Sequence, residues 1–206
     1  LGIEILVPMG AVMTLFPVLF AILENDLRRV VGFGLISQLG FMVVGVGVGT
    51  ELALSGAAAH AAAGILYKAL LFMAIGAVLY RTGTAKVSEL GGLYRTMPLT
   101  MILCVVGAAS ISAFPLFSGF VTKSLILSSA AKAHYDWVWA ALLAASAGSF
   151  LSVGLKVPLA AFFAKDSGKR PREAPAHMVL AMALTAGLCL AIGLFPGAFY
   201  ALLPHE

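Results

Sequence analysis

Apolar residues run along this chain in blocks of about twenty, separated by short polar stretches, and that pattern predicts helices that cross a membrane. Six blocks can be drawn, at roughly 3–23, 30–49, 52–80, 98–131, 137–164 and 176–203. They do not alternate apolar and polar positions as the strands of a membrane barrel would, so helices are the spanning elements. The fourth block is too long for one straight helix and contains the run ISAFPLFSGF. Pro115 removes a backbone donor and crowds the preceding turn, and Gly119 lowers helix propensity. A broken helix is therefore predicted around 112–119. The expected fold class is all-α: a polytopic membrane helix bundle of about six transmembrane helices, one of them discontinuous.

Composition sharpens this reading. The chain is 61% hydrophobic and 11% charged, with a mean hydropathy of +1.03. A soluble domain of this length could not cover its surface with so few charges. Cys104 and Cys189 fall inside apolar blocks and read as small hydrophobes, with no disulfide framework or metal-binding spacing around them. The chain starts at Leu1 in hydrophobic context, so it reads as a piece of a longer protein, and the lack of a signal peptide carries no meaning.

The net charge of +4 invites a nucleic-acid reading, but its distribution opposes it. Nine cations lie in the loops after blocks one, three and five: Arg28, Arg29, Arg81, Lys86, Arg95, Lys165, Lys169, Arg170 and Arg172. The opposite loops hold Lys132 alone, beside Glu51, His134 and Asp136. This is a positive-inside asymmetry; it places loops 24–29, 81–97 and 165–175 in the cytoplasm and both ends of the chain outside. The basic residues set topology and call for no nucleic acid.

Three cations remain, Lys68, Lys123 and Lys156, and all lie within blocks where no carboxylate is near to neutralise them. A charged lysine at the bilayer centre costs about 2.5–3.5 kcal/mol on insertion scales. The bland explanation is snorkelling, with the stem in lipid and the ammonium at the interface. Depth tests it. Lys68 is 13 residues from Arg81 and 17 from Glu51, which is roughly 20 Å and 25 Å of helix. No lysine side chain spans that. Lys123 and Lys156 each lie nine residues from a loop cation. Snorkelling can reach there, although the Pro115 break near Lys123 and Pro158 near Lys156 suggest hydrated, loosened helix at both.

His60 and Lys68 are eight residues apart with Gly64 midway, so all three share one helix face over about 12 Å. Histidine carries protons near neutral pH, and desolvation readies a buried amine to release one. With water beside Gly64, the pair reads as stations of a proton wire. The alternative for His60 is a packing histidine bonded to a neighbouring helix. Ser37 and Gln38 add polar groups at membrane depth, either lining the pathway or making ordinary interhelical hydrogen bonds.

The blocks DLRRVVGFGLISQLGFM, HAAAGILYKALLF, SELGGLYRTMP and AFPLFSGFVTKSLI occur in that order. Together they resemble the antiporter-like, proton-translocating membrane subunits shared by respiratory complex I, membrane-bound hydrogenases and Mrp-type cation/proton antiporters. The runs FVTKSLILSSAA and GLKVPLAAFFAKDSGKR look most like the D-type subunit of the Mrp group or a close hydrogenase relative. The resemblance implies that the chain is the C-terminal part of such a protein. Residues 1–165 would form the second of two inverted five-helix repeats, and 166–206 a cytoplasmic basic loop and a closing helix. It implies a multi-pass protein of the cell (inner) membrane. It implies partners among other membrane subunits, with protons as cargo and sodium or potassium as the open choice of exchanged cation. His60 and Lys68 match a histidine and lysine of the family's central pathway, and Lys123 the lysine at the second broken helix, near the proton exit. Asp26 and Arg28 match the charged start of a helix lining that pathway. Gln38 stands where many members have histidine and Gly64 where some have a second one, which implies that water carries those steps. The family's glutamate–lysine pair belongs to the half not present here.

The leading expectation is thus a proton-conducting subunit whose pathway uses His60, Lys68, Lys123, Lys156, Gln38 and Ser37 beside the Pro115–Gly119 break. The first alternative is the proton-pumping subunit of a quinone oxidoreductase or hydrogenase. The second is a structural anchor, whose lysines would pair with carbonyls or lipid headgroups and could be lost without effect. No cofactor or metal site is expected, and any oxidoreductase activity would belong to the complex rather than to this chain.

Overall fold

The computed structural model describes residues 3–201, which are almost entirely helical. The helices are α1 (Leu6–Leu23), α2 (Leu27–Val48), α3 (Glu51–Thr82), α4 (Pro98–Ile111), α5 (Ser118–Lys132), α6 (Asp136–Phe163), α7 (Ala176–Leu194) and the short α8 (Pro196–Tyr200). Five of them, α1, α2, α3, α6 and α7, are long and apolar enough to cross a membrane, and α4 is a shorter apolar helix.

The sixth pass is built from α4 and α5. Gly107 of α4 lies against Leu70 and Leu71 in the C-terminal half of α3, while Gly56 in its N-terminal half faces Leu125 and Ile126 of α5. The two short helices therefore run along α3 one after the other, antiparallel to it. The break is real but narrower than the sequence suggests, spanning 112–117. Pro115 lies inside it. Gly119 does not; it sits in the first turn of α5, where a Cβ would collide with the carbonyl oxygen of Ser110. Its role is close approach rather than weak propensity. Ala113 and Leu116 take positive φ, 57° and 73°, which costs a non-glycine residue and needs the surrounding packing to hold it.

The apolar block drawn as 176–203 also needs correction. The helix stops at Leu194 because Pro196 follows and disfavours helical geometry at Phe195, which sits at φ −120°, ψ 59°. The far end of that block, beyond 201, lies outside the described residues. Elsewhere the ends follow local chemistry. Asp26 caps α2, Thr50 caps α3, and Gly49 and Gly83 close α2 and α3 in the left-handed conformation. Helices α1 and α2 meet through glycine: a Cβ on Gly40 would sit 2.6 Å from the Thr14 nitrogen and one on Gly10 2.7 Å from the Val44 nitrogen. Such small-residue contacts are how membrane helices gain close van der Waals packing.

The three basic loops meet at one end of the bundle. Leu27 and Val87 donate to Ala85 and Asn25 carbonyls at 2.9 and 2.8 Å, tying the start of α2 to the loop after α3. Ser167 donates to Gly91, and Glu173 accepts from the Leu99 and Thr100 amides at 2.8 and 3.4 Å and from the Thr100 hydroxyl at 2.5 Å. Glu173 thus caps α4 from another loop. Removing a cap of this kind costs about 1 kcal/mol, so Glu173→Ala lowers the thermal midpoint of the full-length protein by a few degrees; an unchanged melt would show that water replaces the carboxylate at no cost. Close by, the Arg170 guanidinium and the Gly168 amide hold the Asp166 carboxyl far below the usual carboxylate range. That contribution is present above the ordinary carboxylate pKa and is lost only as pH falls through the lowered one.

Two apolar clusters fill the interior. One, towards the basic end, includes Leu27, Val31, Ala63, Leu70, Leu71, Ile111 and Val153. The other, towards the opposite end, includes Val7, Phe41, Val44, Ile126, Leu142 and Ala145. Cys104 and Cys189 are buried free thiols. Along α2, α3, α5 and α6 the residues between the clusters are polar.

A buried polar layer with three lysines

That layer is organised around His60. Its ring is fully buried. Nδ1 lies 2.8 Å from Thr122 Oγ1, and Nε2 lies 3.1 Å from Gln38 Oε1 and 3.3 Å from the Tyr67 hydroxyl. Gln38 in turn donates to Ser149 Oγ at 3.1 Å, so α2, α3, α5 and α6 are joined through one imidazole. Gln38 therefore sits in the same cluster as His60. Ser37 does not: its hydroxyl donates to the Thr14 carbonyl at 2.8 Å, an interhelical bond from α2 to α1.

Lys123 is 1% exposed, yet no carboxylate among the described residues accompanies it. Its ammonium donates to the Ile111 carbonyl at 2.7 Å and stands 5.2 Å from the centre of the Phe41 ring. Ile111 is the last residue of α4, where carbonyls lack helical partners and the helix dipole is negative. The broken helix thus supplies the partial negative charge that a side chain would otherwise provide, and Phe41 adds a cation–π contact. Phe41 also packs on His60, with ring centres 5.8 Å apart.

Lys68 behaves differently. It is buried, but among the described residues its ammonium makes no hydrogen bond or ion pair. It lies in a groove of about 470 Å³ between α2 and α3, lined by Leu35, Leu39, Met42, Ile65 and Phe72. A Cβ on Gly64 would sit 3.4 Å from both Lys68 Nζ and the Tyr67 hydroxyl, so the two groups flank one small space above that glycine.

Lys156 stands apart from the cluster. Its ammonium donates to the carbonyls of Ala21, Ile22 and Glu24, at 3.1, 2.7 and 2.5 Å, and so caps the C-terminus of α1. It sits between two π-helical turns, 150–155 and 159–163, within α6; the loosening that Pro158 suggests is there on both sides. A cation on terminal carbonyls is worth about 1–2 kcal/mol. Lys156→Met should accordingly lower thermal stability by about that amount while leaving proton flux within twofold; a collapse of flux with unchanged stability would put Lys156 in the conduction path instead. Asp26 and Arg28 also lie away from the layer, in a 2.7 Å ion pair at the basic end.

Sequence reasoning missed Tyr67, Thr122, Phe41 and Ser149. Tyr67 carried a usable signal, because it is seven residues from His60, two helical turns on the same face. The others carried none without the helix packing. Among the described residues, no group of three or more His, Cys, Asp or Glu side chains could hold a metal ion.

A polytopic helix bundle, with one span broken beside a buried lysine and a polar layer between apolar ends, defines a membrane protein with ionisable groups at depth, a class in which such groups mark ion or proton paths. Residues 3–152 match the NADH:quinone oxidoreductase/Mrp antiporter transmembrane family, and the chain belongs to it. A probable K(+)/H(+) antiporter protein of Rhizobium meliloti is 32% identical over 185 residues, 86% of this chain and 18% of that one. Chain 5 of NADH-ubiquinone oxidoreductase from Hippopotamus amphibius is 34% identical over 147 residues, 70% of this chain and 24% of that one. Among solved structures, the fold matches an archaeal membrane-bound sulfane sulfur reductase complex with a TM-score of 0.92 at 27% identity, covering 98% of this chain and 34% of that one. It matches the Mrp complex of a Dietzia species with a TM-score of 0.90 at 23% identity, covering 97% and 45%. The chain thus spans less than half the length of each of these relatives.

Proposed function

We propose that this chain is the second-repeat half of a proton-translocating, antiporter-like membrane protein, D-like within an Mrp-type cation/proton antiporter. Residues 1–165 form the repeat, and 166–206 the basic loop and closing helix. The observation that carries the reading is the polar layer itself: Lys68, its ammonium unpaired among the described residues, then Tyr67, His60 and Thr122 in hydrogen-bond reach of one another, then Lys123. Nothing in the packing of the apolar clusters calls for such groups, and burying them is costly unless they are used. Lys68 exchanges protons with His60 through the space above Gly64, and His60 exchanges with Lys123 through Thr122 and water. Charge in neighbouring subunits of the complex biases the two lysines in turn. Loops 24–29, 81–97 and 165–175 face the cytoplasm, as their shared cations suggest.

One observation favours the anchor reading. Lys123 and Lys156 both pair with backbone carbonyls, which is what structural lysines would do. Lys68 is the residue that separates the two readings. The deciding experiment is proton flux in vesicles carrying the full-length protein in its complex, wild type against Lys68→Ala. Lost flux with intact assembly supports conduction, and unchanged flux leaves the anchor.

A further inference from the structure

We propose that the Tyr67 hydroxyl is a proton-passing link between Lys68 and His60, a role that rests on the conduction reading above. Tyr67 is fully buried, and its hydroxyl has His60 Nε2 as a hydrogen-bond partner at 3.3 Å. On its other side is the space above Gly64, which it shares with Lys68 Nζ, each 3.4 Å from the site of a Cβ on residue 64. Lys68 and His60 are eight residues apart on one helix, roughly 12 Å along its axis, too far for direct exchange. The phenol reaches back two turns and closes most of that gap from the far side, and the glycine leaves room for one water to close the rest.

The hydrogen bonds accommodate the transfer. With the proton of neutral His60 on Nδ1, that nitrogen donates to Thr122 Oγ1, whose own hydroxyl reaches the Ser118 carbonyl at 3.3 Å. Nε2 is then an acceptor for the Tyr67 hydroxyl, and the Gln38 amide serves it by turning its NH2 inward and its oxygen towards the Ser149 hydroxyl. The Lys68 ammonium gives a proton to the water above Gly64; the water passes one of its own to Tyr67 Oη; and the Tyr67 hydroxyl proton moves to Nε2. Lys68 becomes an amine and His60 an imidazolium. Tyr67 and the water end as they began, so the phenol never carries charge.

The test uses the full-length protein in its complex, reconstituted in vesicles, with proton flux and its H2O/D2O ratio as readouts and Lys68→Ala as reference. Tyr67→Phe keeps the ring and the packing, and should slow flux roughly tenfold or more with assembly unchanged. Gly64→Ala adds a methyl at ordinary contact distances and should slow it as well. Replacing Tyr67 with 3,5-difluorotyrosine, nearly the same size but a stronger acid, should change both the flux and the isotope ratio. Flux within twofold of wild type for Tyr67→Phe, while Lys68→Ala abolishes it, would overturn the link and leave the conduction reading standing. A slowed Tyr67→Phe with a wild-type difluorotyrosine protein would also overturn it, since the hydroxyl would then only hold His60 in place. Undiminished flux in Lys68→Ala would remove the conduction reading itself.

Discussion

Lys68→Ala in the full-length protein abolishes proton flux while the complex still assembles. The flux loss should be roughly a hundredfold or more, the scale at which a positioned proton donor or acceptor contributes. The expectation of intact assembly is equally specific. Lys68 holds no hydrogen bond or ion pair among the described residues and faces an apolar groove, so truncation leaves no orphaned partner and removes an expensive charge. Lys123→Ala would be a poorer first test, because it strips the terminal carbonyl of α4 of its cap and mixes a folding defect with a conduction defect. If Lys68→Ala were to lose assembly along with flux, the groove would be an interface that needs the lysine stem.

Gly119→Val prevents accumulation of the folded protein. The Cβ of any residue there falls against the Ser110 carbonyl oxygen, which belongs to backbone and cannot swing aside. The clash sits where α5 begins, beside the strained φ angles of Ala113 and Leu116. Relief would require α4 and α5 to move apart, and with them the contact from Lys123 to Ile111. A cost on the order of 4 kcal/mol places this among the severe single substitutions. Gly76→Ala is the control: nothing lies within 4 Å of a Cβ there, and alanine favours helix by about 1 kcal/mol. Size-exclusion profiles and melting of both variants decide it. A well-assembled Gly119→Val would mean that the break is not held by this approach.

The spans and the break were legible in the sequence because they follow from local facts, apolar length and a proline. The depth of Lys68 was legible for the same reason, as a count of residues to the nearest loop charge. The partner of Lys123 was not. It is a carbonyl freed by the helix break twelve residues earlier, and nothing in the residue types announces which carbonyl the ammonium will reach. Lys156 shows the same limit, since its partners are the end of α1, more than 130 positions away. Tyr67 was passed over because a tyrosine within a run of apolar residues reads as packing. Only the glycine one turn before it, opening room beside the hydroxyl, gives it chemistry. The end of α7 was misplaced because hydropathy continues through Phe195 and Tyr200 after Pro196 has already stopped the helix.

The polar layer lies between two dry apolar clusters, near the middle of the span. A charge there feels only part of the membrane voltage. A full crossing is worth about 2.3 kcal/mol per 100 mV, so a proton moving between the layer and one face of the membrane does roughly half that electrical work. Loading and unloading the layer are then two separate voltage-sensing events. The packing of Leu70 and Leu71 on one side and Ile126 and Leu142 on the other sets how the voltage is divided between them.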